Sequence, residues 1–483
     1  MKFICCFISI SFYLLSGLHS QEVYKLTLSE VVIRSKSQSI AARQSTTTRE
    51  TKFWEWKTFL SNYKPQLVLE GNLPAFTRSF IEVIQPDGTI QFQPIRYNNS
   101  ALNLSLSQTL GQTGGQIYAT TQLQRFDDFN RNTVLYNSSP FAIGYRQPIL
   151  QFNPFKWDKK IEPLKFEESK QVFLESLEKI AVKSTEYFFN VLMAQVNVQI
   201  AETNLKNTAT ISSIANEKYL LGKVTKNEIL QLQLESLKAQ KAIANAKRDL
   251  EISWLNLRSY IGLPAENRIE LEIPSHIPMI SISSETALAE AFENRSDALR
   301  YKRQLLEAQR NVAKAIGDNG LNATFSATLG FSNRGPRITE LYENPKRQES
   351  IQLELDIPIL DWGRSKSRTK TAEAEQKLAA YTIEQDQLNF KQEIYTQVTL
   401  FDMLRRELTI TAQTDSIATE KYKIAQDRYV LGFLSTTDLS IAFQEKDQAT
   451  RDHITTLRDY WETHYGLRAL TLFDFEKKEK IKP

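Results

Sequence analysis

Two spacings of apolar residues divide this chain of 483 residues. Between residues 229 and 257, Ile229, Leu232, Ala239, Ala246, Leu250 and Leu257 belong to a series at steps of three and four, with Gln, Lys, Glu and Asn on the other faces. That is the period of a helix packed along a seam, and its small residues suit close approach of a neighbouring helix. From Arg364 to Val430 there is neither proline nor glycine. The stretch predicts a single helix of roughly 100 Å at 1.5 Å per residue.

The second spacing is two. In 101–110, "ALNLSLSQTL", Leu102, Leu104 and Leu106 lie on one face and Asn103, Ser105 and Ser107 on the other. Residues 323–331 and 350–358 alternate in the same way, and 116–126 and 141–149 are further candidates. Such segments predict strands with one apolar and one polar side. Alternation alone fits a half-buried soluble sheet as well as a membrane wall with lipid outside and water inside.

The chain also repeats itself. At a displacement of 210, Pro148, Ile149 and Leu150 fall on Pro358, Ile359 and Leu360, and Tyr219, Leu221 and Gly222 fall on Tyr429, Leu431 and Gly432. Glu228 falls on Asp438, and Arg248 and Asp249 fall on Arg458 and Asp459. With small gaps, the segment from residue 26 also resembles that from 286. A constant register over so long a run predicts two tandem structural repeats. Gly222 and Gly432 are placed to end a helix in the left-handed conformation, and Thr225 and Ser435 or Thr436 to cap the next one, so each half makes one helical hairpin with its tip at the glycine.

Composition narrows the class. Net charge is only +4, from 60 basic and 56 acidic residues, which gives no basic excess for nucleic acid. Residues 1–20 read as a secretory signal peptide, with Lys2 before an apolar run. Both cysteines, Cys5 and Cys6, lie in it. The expected organisation is a leader over 1–20, a first repeat over 21–262 with its tip near 222, and a linker over 263–284 containing Pro264, Pro274 and Pro278. A second repeat over 285–475 with its tip near 432 and a charged tail over 476–483 complete it. Only His276, His453 and His464 follow the leader, no cysteine accompanies them, and no phosphate-binding glycine loop is present. Neither an enzyme nor a catalytic, metal or cofactor site is therefore expected.

An exported chain whose few strands cannot close a barrel would leave backbone groups unpaired in lipid, so a barrel reading requires other copies. Taken with "YLLGKVTKNEIL", "RYVLGFLSTTDLS" and "PILDWGRSKSRTKTAEAEQ", the two-half order of helix, strands and long helices resembles the TolC family of outer-membrane efflux and secretion channels. The resemblance implies a mixed α+β membrane protein: a homotrimer in which a transmembrane β-barrel of twelve strands, four per chain, continues into a long coiled-coil-like α-helical barrel. It implies a passive conduit in the outer membrane of a Gram-negative bacterium, with a large periplasmic portion, served by a periplasmic adaptor (membrane fusion) protein and an inner-membrane pump. Tyr219, Leu221, Gly222, Tyr429, Leu431 and Gly432 match the tips at which the adaptor docks. Asp438, and Glu228 opposite it in the repeat, match the acidic constriction, although Ile441 stands where some relatives have a second aspartate. Type I protein secretion and a poreless periplasmic adaptor or scaffold are the alternatives. The chain departs from the family in the extra strand-like sequence of 101–126, turning at 111–115, either an extracellular elaboration or added wall. It departs again at 151–157, which lacks the "DWGRSKS" of 361–367.

Overall fold

The computed structural model describes residues 24–222, 224–263 and 269–482. Residues 1–23, which hold the expected leader with Cys5 and Cys6, together with Lys223, residues 264–268 of the expected linker and Pro483, lie outside the described residues. A short strand β1 (Tyr24–Leu26) leads into α1 (Leu28–Gln38) and α2 (Ile40–Ser61). Strands β2 (Gln66–Asn72), β3 (Phe76–Ile84), β4 (Ile90–Leu110), β5 (Gly115–Asp128) and β6 (Thr133–Ile149) follow. Two long helices, α3 (Pro154–Leu220) and α4 (Lys226–Ile261), complete the first half. The second half opens with β7 (Ile269–Leu271), paired in parallel with β1, and continues through α5 (Ser284–Asn294) and α6 (Ser296–Asp318). Strands β8 (Asn322–Gly335) and β9 (Lys346–Asp356) then lead into α7 (Arg364–Val430) and α8 (Thr436–Thr471).

The stretch without proline or glycine is one helix, α7, from end to end. Its counterpart α3 has the same 67 residues, and α4 and α8 have 36 each, both pairs displaced by 210 (364 minus 154, 436 minus 226). The opening helices α1 and α5 are also equal, at 11 residues, but are displaced by 256 (284 minus 28). Thr27 and Ser283 cap them. The sequence alignment of 26 with 286 is thus four residues out, about one helical turn, a slip that keeps the same face apolar.

Six strand positions form one antiparallel sheet in the order β2-β4-β5-β6-β8-β9, with β3 continuing β2 along the far half of β4. This corrects the family expectation of four strands per chain. The 101–126 segment is the β4–β5 hairpin, second and third in the sheet from the β2 edge, turning at 111–114. Alternation misses 66–84, because Pro74 interrupts it with a residue that has no N–H to donate and Arg78 and Glu82 share a face with Phe76 and Phe80. Across the sheet, Leu67, Leu106, Ala119, Ile143 and Leu329 lie opposite one another on one side, a row that ends on β9 at Glu349. Gln66, Ser107, Tyr118, Gly144, Thr328 and Ser350 do so on the other. Gly144 leaves room for the Tyr118 ring, which crosses it to place Oη 2.9 Å from Thr328 Oγ1 and so ties the two halves together. Among the described residues no helix is long and apolar enough to cross a membrane.

The core sits where α1, α5 and the C-terminal ends of α4 and α8 pack on the middle of α3 and α7. On α7 the inward residues Ile394, Val398, Phe401, Leu404 and Leu408 recur at steps of three and four, the helical period of a buried face. Charges inside this core are paired. Glu178 accepts from Lys36 Nζ at 2.5 Å and from Arg468 Nε at 3.2 Å, and Arg468 also bonds Asp474. Burial depresses the Lys36 pKa and Glu178 opposes the shift. Arg295, at the N-cap position just before α6, supplies no side-chain cap, so the Glu175 carboxylate of α3 accepts from Ser296 N at 2.8 Å instead.

The tips follow the capping logic of the sequence. Gly222 has φ of +70° and Gly432 of +88°, and their N–H groups donate to Tyr219 O (2.9 Å) and Tyr429 O (3.0 Å). Thr225 caps α4 in a reciprocal box with Glu228, and Ser435 caps α8 by accepting from Asp438 N at 3.1 Å. A Cβ at either glycine meets nothing within 4 Å, so the demand for glycine is set by φ alone. Gly432→Ala is expected to cost about 1 kcal/mol locally, read in hydrogen exchange as roughly five- to tenfold faster exchange at the α7–α8 tip amides with the centre of α7 unchanged.

His464 is only 5 % exposed and lies against Phe401, Trp461 and Tyr465. Burial first, then Arg468, pushes its pKa down to about 4. The unfolded chain holds this proton near pH 6.5, so stability is full above that value, falls as pH drops toward 4, and levels off below. The loss is on the order of 3 kcal/mol per chain. Thermal unfolding of detergent-solubilised protein between pH 7.5 and 4.5 should show this slope, and His464→Gln should flatten it.

Candidate functional site

Tip residues that match in sequence differ in setting. Tyr219 is 42 % exposed, whereas Tyr429 is 6 % exposed and packs with Tyr422, Ala425, Leu439 and Ala442. Lys218 Nζ of the first hairpin lies 5.0 Å above the Tyr429 ring, so this tyrosine joins the two hairpins. Leu220, Leu221, Leu431 and Phe433 stand out at the tips with most of their surface exposed. Glu228 and Asp438 occupy the same third position of α4 and α8, and both are exposed. Each serves its own helix: the Glu228 carboxylate accepts from Thr225 N at 3.0 Å and that of Asp438 from Ser435 Oγ at 2.6 Å. A carboxylate there also complements the positive helix end.

Behind the tips, α4 packs on α3, α3 on α8 and α8 on α7. Polar contacts bind the two hairpins: Asn204 Nδ2 donates to Asp447 at 2.9 Å and Asn207 Nδ2 to Tyr422 Oη at 2.8 Å. Nearer the sheet the order is α2 on α3, α3 on α6 and α6 on α7. In both sections α7 is the outer helix on one side, with α4 and α2 on the other. The outward side of α7 carries Met403, Ile410, Ile417 and Ile424, seven residues apart and each more than half exposed. On α4, Leu230, Leu234, Leu237 and Leu255 are exposed to the same degree. A search for seven-residue spacing would have found the α7 stripe in the sequence.

The strand-to-helix corners are built differently in the two halves, as the missing "DWGRSKS" foretells. Asp361 accepts first from Ser365 Oγ, then from Ser365 N at 2.8 Å and Gly363 N at 3.0 Å, bonds that hold its carboxyl below the usual range. In the first half Asn153 caps the helix through Lys156 N at 3.3 Å, and Pro154 occupies the first turn.

A two-faced sheet continued by a helical layer is also the fold of known channels. The CmeC outer membrane channel of Campylobacter jejuni superimposes with a TM-score of 0.67 at 14% identity, over 94% of this chain and 87% of that one. CusC does so with a TM-score of 0.64 at 15% identity, over 92% and 91%. The probable outer membrane lipoprotein SilC of Salmonella typhimurium is 24% identical over 234 residues, 46% of this chain, and the match spans about half of that relative, 48% of its length. Residues 95–263 and 318–471 match the outer membrane efflux protein profile, one segment in each half of the fold. The chain therefore belongs to the outer membrane efflux protein family.

Proposed function

We propose that this protein is the outer-membrane channel of a multicomponent export system, a passive conduit that carries small molecules across the outer membrane and periplasm. One observation carries the reading: sheet and helical layer are both unfinished on the same two sides. Strands β2 and β9 are the unpaired edges of the sheet, and the helical layer ends in the exposed apolar stripes of α4 and α7. A strip that must be continued on both sides closes into a cylinder when identical copies join head to tail. The resemblance supports three copies.

In such a cylinder the row from Gln66 to Ser350 faces water and the row from Leu67 to Leu329 faces lipid. The tips become the periplasmic entrance. Leu221 and Leu431, with Tyr219 beside them and the glycines shaping the turns, offer an apolar surface to an adaptor, through which an inner-membrane pump supplies the energy. Asp438 and Glu228, repeated by each copy, surround the entrance with negative charge and favour cations there. The protein stays in outer membranes washed with carbonate, whereas a peripheral scaffold is released. Purified trimers in planar bilayers are expected to conduct ions, and Asp438→Ala to lower the cation preference severalfold, read from the reversal potential under a salt gradient. Unchanged selectivity removes Asp438 from the constriction. Deleting the gene should raise drug and dye accumulation while leaving secreted proteins unaltered. The opposite outcome favours type I secretion.

A further inference from the structure

The two halves differ by an insertion in one place. Helices α3 and α7 are displaced by 210 residues and α1 and α5 by 256, so 46 residues are added between α2 and α3. At the displacement of 210, the β5–β6 hairpin corresponds to β8–β9. What remains is the hairpin of β2 and β3 with β4, covering residues 66–110.

This hairpin continues the sheet. Leu67 and Leu106 extend the apolar row through Ala119 and Ile143, and Gln66 and Ser107 extend the polar row through Tyr118 and Gly144. An external decoration has no reason to keep both rows in register. By the internal repeat, the β6–β8 pairing would recur as β9 against β5 of a neighbouring copy, but the free side of β5 is occupied by β4. The open edge is β2 instead, exposed at every position, as is β9. β2 runs away from the helices and β9 back toward them, so the two meet antiparallel.

We propose that β9 of one copy pairs antiparallel with β2 of the next, so that three copies close an eighteen-stranded wall with the inserted hairpin at every seam. The proposal rests on the channel reading above. Arc lengths agree with it. Six strands about 4.8 Å apart and tilted about 40° occupy roughly 38 Å of circumference, close to the roughly 36 Å of four helices spaced about 9 Å apart. Four strands would cover only about 25 Å by the same measure. The eighteen-stranded wall is about one and a half times as wide as a twelve-stranded one of equal tilt.

Cysteine pairs test the seam cleanly, since Cys5 and Cys6 belong to the leader. Leu67→Cys or Leu69→Cys on β2 is combined with Ile351→Cys, Leu353→Cys or Leu355→Cys on β9, all on the apolar face, and oxidised in outer membranes. At least one pair is expected to give covalent dimers and trimers on denaturing gels, while the opposite-face control Val68→Cys with Leu353→Cys gives none. Thr121→Cys on β5 combined with the same β9 cysteines reports the rival geometry. Linkage there places the hairpin outside the wall and overturns the proposal, as does a trimer on unheated gels that no β2–β9 pair can link. Absence of any trimer on unheated gels, for the unmodified chain as well, overturns the channel reading itself.

Discussion

A β-strand edge in hydrocarbon has no water to satisfy it, and this requirement organises the whole molecule. About half of the eleven residues of β9 direct their N–H and C=O groups away from β8. At several kcal/mol for each unsatisfied group the edge costs on the order of 20–30 kcal/mol in lipid, more than the 5–15 kcal/mol by which a whole domain is stable. No side-chain contact within one subunit offsets that. In the proposed channel the sheet is closed by strands from other copies, and the helices continuous with it are carried into the same closed arrangement.

The middle of the molecule is finished within one chain. There α1, α5 and the ends of α4 and α8 cover α3 and α7, burying Phe188, Phe401, Tyr460 and Leu257 almost completely. The ion pairs of Glu178 with Lys36 and Arg468 are internal, and a charge left alone at that depth would cost several kcal/mol. They therefore fix how α1, α3 and α8 sit together and contribute less to net stability. Away from this centre the layer thins to four helices, and apolar surface remains at its flanks. One subunit thus has a closed core and open margins.

Features set by a few consecutive residues were legible in the sequence. Gly222 and Gly432 announce their left-handed turns, Thr225 and Ser435 their caps, and the proline-free run 364–430 its helix. The same logic does not reach α3, which continues through Pro163 because packing outweighs one lost backbone bond. Features set by distant partners were not legible. The Glu175 cap on α6 comes from 121 residues away, and the opposite fates of Tyr219 and Tyr429 depend on which hairpin flanks which. Strands β2 and β3 were hidden by Pro74 and by Arg78 and Glu82 among apolar neighbours. A strand at an edge tolerates such residues better than one buried between two others.

Internal repetition also says what the margins need. Under the displacement of 210, α3 corresponds to α7 and α4 to α8. Among the described residues α3 packs along two long helices, α4 and α8, whereas α7 packs along α8 and meets α3 through side chains such as Tyr422 and Tyr429. The image of the α3–α8 contact is α7 against α4, and no packing of that extent is found among the described residues of one chain. Nearer the sheet, the image of α3 on α6 is α7 on α2, equally missing. Met403, Ile410, Ile417 and Ile424 lie on the side of α7 that lacks this neighbour. In the channel reading a tandem duplication therefore leaves α7 of one chain for α4 and α2 of the next, but with side chains of its own. Thr414 and Leu237 stand where Asn204 and Asp447 join α3 to α8, and the sheet does not repeat its β6–β8 pairing because β4 covers β5.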